Sequence, residues 1–207
     1  MIKLYHAPQT RSFRILWFLE ELKTYYDLEY EIERVEFIPP AKGFFTQKTP
    51  SGKIPFLTDG DSQLSESAAI LQYLLERYDS EDRFSPKIGT PERATFLQWL
   101  HYTEGTLSTP LSTLLWHMVY KRDADQLPSV IVDAKDRAER SLTVAEHAFT
   151  DNVYLIDNIF SAADIMLGFT LWNAKQLGAL TGKFKKLGKY LQTLEERPAL
   201  KHALQLQ

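Results

Sequence analysis

Apolar and polar residues follow two different periods along the first 78 residues of the chain. Segments 2–5 and 28–33 alternate between apolar and polar positions, which predicts two strands. Between them, apolar residues recur at helical spacing from Phe13 to Leu22, which predicts a helix with a wide buried face. The chain therefore begins with a predicted βαβ unit.

A predicted β-hairpin and a second helix complete this half of the chain. Segments 54–59 and 62–66 flank a turn centred on Gly60, and an Asp-Gly turn between alternating segments is typical of a hairpin. Residues 67–78 then return to helical spacing.

Beyond residue 90 every strong period is helical. One helical pattern runs over residues 91–120, with a bend expected at Pro110, and another runs over 129–149. Residues 161–164 fit a capping box, and the helix after them is apolar nearly all round. This helix is the expected buried centre of a helical domain.

The polar, turn-rich stretch 79–89 lies between the two halves and indicates a linker. We therefore predict an α/β domain over residues 1–78 and an all-helical domain over residues 90–207.

Composition and charge exclude several classes of function. The chain contains no cysteine, which excludes disulfides, thiolate-bound metals and a thiol nucleophile of its own. Its 24 Lys and Arg residues and 27 Asp and Glu residues are interspersed and give a net charge of −3, so we expect neither a nucleic acid nor a membrane as a partner. The N-terminus does not fit a signal peptide and no stretch fits a membrane span, so a soluble cytoplasmic protein is expected.

Neither the histidines nor the neighbouring acids predict a reaction centre. No two of the five histidines have the i, i+4 spacing of a helical metal site, so no metal is expected. The adjacent acids Glu20 and Glu21, and likewise Glu195 and Glu196, diverge around a helix and are expected on solvated faces.

Three short segments of the first half combine groups that could hold a ligand. The turn 8–12 offers hydroxyls and backbone N–H groups at the start of a helix, and segment 64–70 brings an acid and a hydroxyl to the start of the next one. In the third segment, Pro55 stands at the start of a strand pattern, where proline is normally disfavoured. A cis peptide bond between Ile54 and Pro55 would account for a proline at this position. A βαβ unit followed by a hairpin and a helix can place all three segments along one edge of the sheet.

Segments 51–57 and 64–74 resemble the glutathione-binding half of a cytosolic glutathione transferase, and segment 10–22 is similar to helix one of bacterial and fungal members. The resemblance extends over nearly the whole chain, because the helical half and its capping box also fit. It implies an α/β thioredoxin-like N-terminal domain, an all-α helical C-terminal domain and usually a homodimer.

The resemblance also implies an activity. The enzyme would hold the glutathione thiol as a thiolate for attack on small hydrophobic electrophiles or organic peroxides, with glutathione as a co-substrate and no cofactor. The alternative is a non-catalytic module of the same fold that binds ligands or other proteins. The lack of cysteine excludes the disulfide-exchanging, cysteine-type members of the family.

Residues that would bind glutathione follow from the same resemblance. Ile54 would offer its N–H and C=O to the cysteinyl part, as an added strand does at a sheet edge. Ser67 would hold the γ-glutamyl carboxylate and Glu66 the γ-glutamyl amino group. Lys53 would face the glycyl end, with Lys42 as a weaker candidate. The full predicted set is Lys42, Lys53, Ile54, Pro55, Glu66 and Ser67.

The residue that contacts the sulfur has three candidates. Serine-type members carry a hydroxyl four residues before an arginine, and Thr10 stands in that relation to Arg14. We rank Thr10 first, Ser12 second because it is close enough to compete, and Tyr5 third because it lies in a strand pattern. The electrophile pocket is expected between the domains, and its candidate residues from the helical half are Tyr102, Thr106, Trp116 and His117.

Overall fold

The structure is a computed structural model and describes most of the chain, over residues 1–36, 49–149, 152–156 and 158–206. The chain divides into two compact units. One comprises residues 1–85 together with 195–207, and the other comprises residues 86–194.

The predicted strands and helices occur in the predicted order, and two further helices follow them near the C-terminus. Their bounds are β1 (Ile2–His6), α1 (Ser12–Tyr26), β2 (Tyr30–Arg34), β3 (Phe56–Asp59), β4 (Ser62–Ser65), α2 (Ser67–Tyr78), α3 (Pro91–Tyr102), α4 (Ser108–Leu115), α5 (Pro128–Ala148), α6 (Ala162–Gln176), α7 (Lys185–Glu195) and α8 (Pro198–Gln205).

Within the described residues, the strands of the first unit form one mixed sheet in the order β2-β1-β3-β4. β1 runs parallel to β2 and antiparallel to β3, and β4 returns antiparallel to β3. Gly60 makes the hairpin turn with a φ of 58°, a left-handed conformation that favours glycine. The predicted thioredoxin-like arrangement of a βαβ unit followed by a hairpin and a helix is confirmed.

The prediction that Glu20 and Glu21 lie on a solvated face is wrong, because α8 packs against α1 in the first unit. The two acids are only 6% and 2% exposed. Arg197 donates to both carboxylate oxygens of Glu21, each over 2.7 Å, and His202 contacts Glu20. Buried carboxylates of this kind require charged or hydrogen-bonding partners. Here Trp17 and Tyr30 donate from nearby in the chain, and Arg197 and His202 come from its far end. Glu195 and Glu196 are exposed, as predicted.

In the second unit, the helical pattern predicted over residues 91–120 is continuous but changes its geometry twice. π-helical turns at Thr103–Leu107 and Trp116–Tyr120 follow α3 and α4. The first of them directly precedes α4, which contains Pro110. A proline has no N–H to give to the carbonyl four residues earlier, which is one recognised cause of such a local change.

The predicted capping box at the start of α6 forms. Asp164 accepts from the Ser161 N–H over 2.8 Å, and it also accepts from the Leu155 N–H over 2.9 Å and the Tyr190 hydroxyl over 2.7 Å. Burial raises the pKa of Asp164, while these hydrogen bonds act in the opposite direction. Residues 162–171 are all buried, so α6 is the predicted centre of the helical unit.

A search of the described helices finds none with the length and apolar character needed to span a membrane.

Candidate functional site

The strand register brings the three predicted ligand-binding segments to the same end of the sheet. Tyr5 pairs with Phe56, and Phe56 pairs with Ser65, so these residues are neighbours across three strands. β1 leads from this end into the turn 8–12, β3 begins here after Ile54, and β4 ends here before Ser67. The juxtaposition follows from antiparallel pairing, which places the end of one strand beside the start of the next.

The turn after β1 is organised by its own hydroxyl groups. Thr10 Oγ1 lies 2.7 Å from Ser12 Oγ and donates to the Ala7 carbonyl over 2.8 Å. Ser12 Oγ lies 2.8 Å from His6 Nδ1 and accepts from the Ala7 N–H over 3.2 Å. The Ser12 N–H in turn donates to Thr10 Oγ1 over 3.3 Å. Thr10, Ser12 and His6 therefore form one continuous chain of polar contacts.

Exposure distinguishes the three candidates for contact with a sulfur atom. Ser12 is fully buried, whereas Thr10 is half-buried and lies at the outer end of the chain of contacts. Tyr5 is half-buried in β1, and its ring packs edge-to-face against Phe56 with the ring centroids 5.3 Å apart. Of the three, Thr10 is the hydroxyl with both surface access and a polar network behind it.

Two of the three segments meet at the start of β3 and the end of β4. The peptide bond between Ile54 and Pro55 is cis, as predicted, and both residues are buried. In the part of the chain that the structure describes, the N–H and C=O of Ile54 have no hydrogen-bond partner. The Lys53 side chain is exposed. Lys42 lies outside the described residues.

The turn from β4 into α2 has an unusual backbone. Glu66 adopts a φ of 71°, a conformation rare for a residue with a side chain, and its side chain is exposed. Such outliers are held in place by their surroundings and occur most often at functional sites. Ser67 follows it as the first residue of α2, 4% exposed, and its Oγ accepts from Arg14 Nη1 over 2.8 Å. The start of α2 thus combines backbone N–H groups with a nearby guanidinium, which favours an anion.

The four candidates for an electrophile pocket lie along the consecutive helical segments between Pro91 and Tyr120. Thr106 lines an open cleft of about 420 Å³ that also includes Arg137 and Arg140. Tyr102 instead donates to the Ser141 carbonyl over 3.0 Å, and burial raises the pKa of its hydroxyl.

Trp116 and His117 lie further along, in the second π-helical turn. Trp116 is 37% exposed and packs edge-to-face against Tyr120. His117 is buried and accepts from the Leu127 N–H over 3.4 Å. Tyr102 and His117 thus both make hydrogen bonds within the helical unit.

Two residues of the site escaped the sequence analysis. Arg14 served there only as a spacing marker, yet its guanidinium joins α1 to Ser67. His6 was grouped with the other histidines, although the alternation of β1 places it in phase with the buried Ile2 and Leu4. Burial lowers the pKa of His6 to about 4, with a smaller contribution from the charge of Arg34, so the ring is neutral near pH 7. Among the described residues, no group of His, Asp and Glu could hold a metal ion.

Comparison with protein families gives two matches. Residues 1–76 match the model described as the N-terminal domain of glutathione S-transferase, and residues 110–198 match the model of its C-terminal domain.

Several curated proteins are similar over much of their length. Glutathione S-transferase 3 of Schizosaccharomyces pombe is 26% identical over 98% of this chain and 86% of its own length. Glutathione S-transferase 1 of the same yeast is 30% identical over 81% of this chain and 72% of its own length. Elongation factor 1-gamma of Prunus avium is 28% identical over 99% of this chain, which spans 48% of that protein.

Solved structures show the same fold. A glutathione transferase homolog from Lodderomyces elongisporus, with two GSH per subunit, matches with a TM-score of 0.86 and 25% identity over 99% of this chain and 98% of its own. The glutathione transferase URE2P6 from Phanerochaete chrysosporium, in complex with oxidized glutathione, matches with a TM-score of 0.81 and 28% identity over 99% and 94%.

Proposed function

The chain belongs to the glutathione S-transferase family, and from this we propose that it binds glutathione at the end of its sheet and holds the thiol as a thiolate. The thiolate then attacks small hydrophobic electrophiles or organic peroxides. The observation that carries the proposal is the strand register, which brings the turn of Thr10, the main chain of Ile54 and the start of α2 to one place.

Each part of glutathione has a chemically suitable partner there. The N–H and C=O of Ile54, which have no partner among the described residues, suit the cysteinyl main chain in the manner of an added strand. The start of α2, with Ser67 and the nearby Arg14 guanidinium, suits the γ-glutamyl carboxylate, while exposed Glu66 suits its amino group. Lys53 is exposed before β3 and suits the glycyl carboxylate.

The chemical task is to lower the pKa of a thiol. A thiol with a pKa of about 8.5 is only about 3% ionised at pH 7, and lowering the pKa by two units requires about 2.7 kcal/mol. A hydrogen bond to a charged group contributes about 1.5–3 kcal/mol, and a helix N-terminus adds about 0.3–1 kcal/mol. One hydroxyl at the start of α1 is therefore enough, and Thr10 is the hydroxyl with access to a ligand.

Two measurements test this function. Calorimetric titration should show saturable binding of glutathione, about tenfold weaker in Ser67→Ala, where one hydrogen bond to a charged group is lost. With a chromogenic aryl halide, Thr10→Val should lower the rate of conjugation at least tenfold. A protein that does not bind glutathione would overturn the proposal.

A second candidate is a module that keeps the fold and the glutathione site for binding other molecules without turnover. The match to elongation factor 1-gamma of Prunus avium over 99% of this chain supports it, since that protein is not named as a transferase. Binding of glutathione without conjugation or peroxide reduction would favour this second function.

We also propose a homodimer, on the family relationship alone. Sedimentation velocity should give twice the chain mass of 23.9 kDa, and a monomer at all concentrations would contradict it.

A further inference from the structure

Behind Thr10 lies a buried histidine to which the proposed chemistry has so far given no role. His6 is fully buried, and its Nδ1 lies 2.8 Å from Ser12 Oγ. Its other ring nitrogen, Nε2, is buried and has no hydrogen-bond partner within the described residues. A neutral imidazole carries one proton, and the position of that proton decides the direction of every hydrogen bond that follows.

Burial favours one of the two tautomers. A proton on Nε2 would leave a buried N–H donor without an acceptor among the described residues, which costs the desolvation of that donor and is rare in folded proteins. A proton on Nδ1 instead has Ser12 Oγ as its acceptor and leaves only a lone pair unpartnered. The ring is therefore expected to donate to Ser12.

From this tautomer the remaining directions follow. Ser12 Oγ accepts from His6 Nδ1 and from the Ala7 N–H, so both of its lone pairs are used. Its own proton goes to Thr10 Oγ1, which lies 2.7 Å away, rather than to the Ala7 carbonyl at 3.2 Å. Thr10 Oγ1 then accepts from the Ser12 hydroxyl and from the Ser12 N–H. With both lone pairs used, Thr10 acts outward only as a donor.

We propose that His6, protonated at Nδ1, is a positioning residue that directs the Ser12 proton to Thr10 and so leaves the Thr10 proton available to a glutathione sulfur. Without ligand that proton goes to the Ala7 carbonyl over 2.8 Å. A thiolate is a charged acceptor and forms the stronger bond. With the opposite tautomer Ser12 would donate to His6 and accept the Thr10 proton itself, in competition with the sulfur.

This inference rests on the proposed function, but its first test does not need glutathione. Nitrogen NMR of the ligand-free protein near pH 7 distinguishes the two tautomers, and the signals of His6 are those absent from the His6→Phe variant. We expect a protonated Nδ1 and a bare Nε2. The Nε2–H tautomer would overturn the proposal.

The second test follows the ultraviolet absorbance of the thiolate of bound glutathione as pH is varied. In His6→Phe the thiol pKa of bound glutathione should rise. At a pH below the thiol pKa values of both proteins, the thiolate fraction should be about fivefold smaller than in the parent. The Kd of S-methylglutathione should change less than twofold. His6→Asn should restore the parent value, because its amide N–H replaces the Nδ1–H. His147→Phe, at an exposed position of α5, is the control and should have no effect.

The outcomes separate this inference from the proposed function. A rise in thiol pKa with Thr10→Val but not with His6→Phe would overturn the role of His6 and leave the function standing. A parent protein whose bound thiol titrates as in free glutathione would overturn both. If His6→Phe does not fold, the tautomer of His6 in the parent decides the matter.

Discussion

The guanidinium of Arg14 on α1 donates to the hydroxyl of Ser67 at the start of α2, over 2.8 Å and with both residues buried. The bond joins α1 and α2. Their first residues, Ser12 and Ser67, lie 55 positions apart in the chain but at the same end of the sheet. The stability of this unit and the proposed binding of glutathione therefore involve the same hydroxyl.

Ser67→Ala is expected to lower the free energy of unfolding by about 2 kcal/mol, because it removes a buried hydrogen bond to a charged group. Urea unfolding at pH 7 measures the change. The matched control is Ser65→Ala, two residues earlier and half-buried, whose hydroxyl has no partner within the described residues. Equal losses in the two variants would show that the bond contributes nothing specific.

Replacement of Glu66 by glycine should weaken glutathione binding without lowering the free energy of unfolding. Glycine adopts a φ of 71° without steric cost, so Glu66→Gly is expected to leave the free energy of unfolding unchanged or raise it by about 1 kcal/mol. Loss of the carboxylate should nevertheless weaken glutathione binding about tenfold in a calorimetric titration. Glu29→Gly, at an exposed position outside the site, should not affect binding. Unchanged affinity in Glu66→Gly would remove Glu66 from the site.

Burial of neutral His6 makes folding dependent on pH. The unfolded chain binds a proton at His6 near pH 6.5, whereas the pKa in the folded state is about 4. Between these values the unfolded state binds more protons, so stability falls as pH falls through this window, by about 3 kcal/mol in total. Urea unfolding at several pH values should show this loss in the parent and a smaller one in His6→Phe. Parallel curves for the two proteins would contradict it.

The ion pair between Glu21 and Arg197 should hold α8 on α1. Arg197→Met leaves a buried carboxylate without its bidentate partner, which is expected to cost about 3 kcal/mol. The double variant Glu21→Met with Arg197→Met should recover much of this loss in urea unfolding. Lys201→Met, in α8, breaks the exposed pair with Glu196, which lies just before that helix, and should lower the free energy of unfolding far less. A loss in Arg197→Met no larger than in Lys201→Met would refute the role of the ion pair.

Local patterns were sufficient to predict the strands, the main helices and the capping box, because each depends on residues close together in the chain. The convergence of the three predicted ligand-binding segments could also be predicted, since βαβ and hairpin topology restricts which strand ends meet. The burial of Glu21 could not, because its partner Arg197 lies 176 residues away. The bond between Arg14 and Ser67 was missed for the same reason, since these residues lie 53 positions apart.

His6 is a different case, since its burial follows from the alternation of β1. The pattern could not predict the hydrogen-bond partner of His6. That partner, Ser12, lies six residues further along after an irregular turn, and the pattern does not determine the direction of its side chain. The tautomer, and with it the direction of the hydrogen bonds to Thr10, depends on which ring nitrogen finds that partner.

The most direct test of the proposed chemistry is a pH titration of the thiolate absorbance of glutathione bound to the parent, Thr10→Val, Ser12→Ala and Tyr5→Phe. The bound thiol should titrate below free glutathione in the parent. Thr10→Val should raise its pKa by about one to two units, Ser12→Ala by less, and Tyr5→Phe not at all. A parent thiol that titrates as in free solution, or one that Thr10→Val leaves unchanged, would contradict thiolate stabilisation by Thr10.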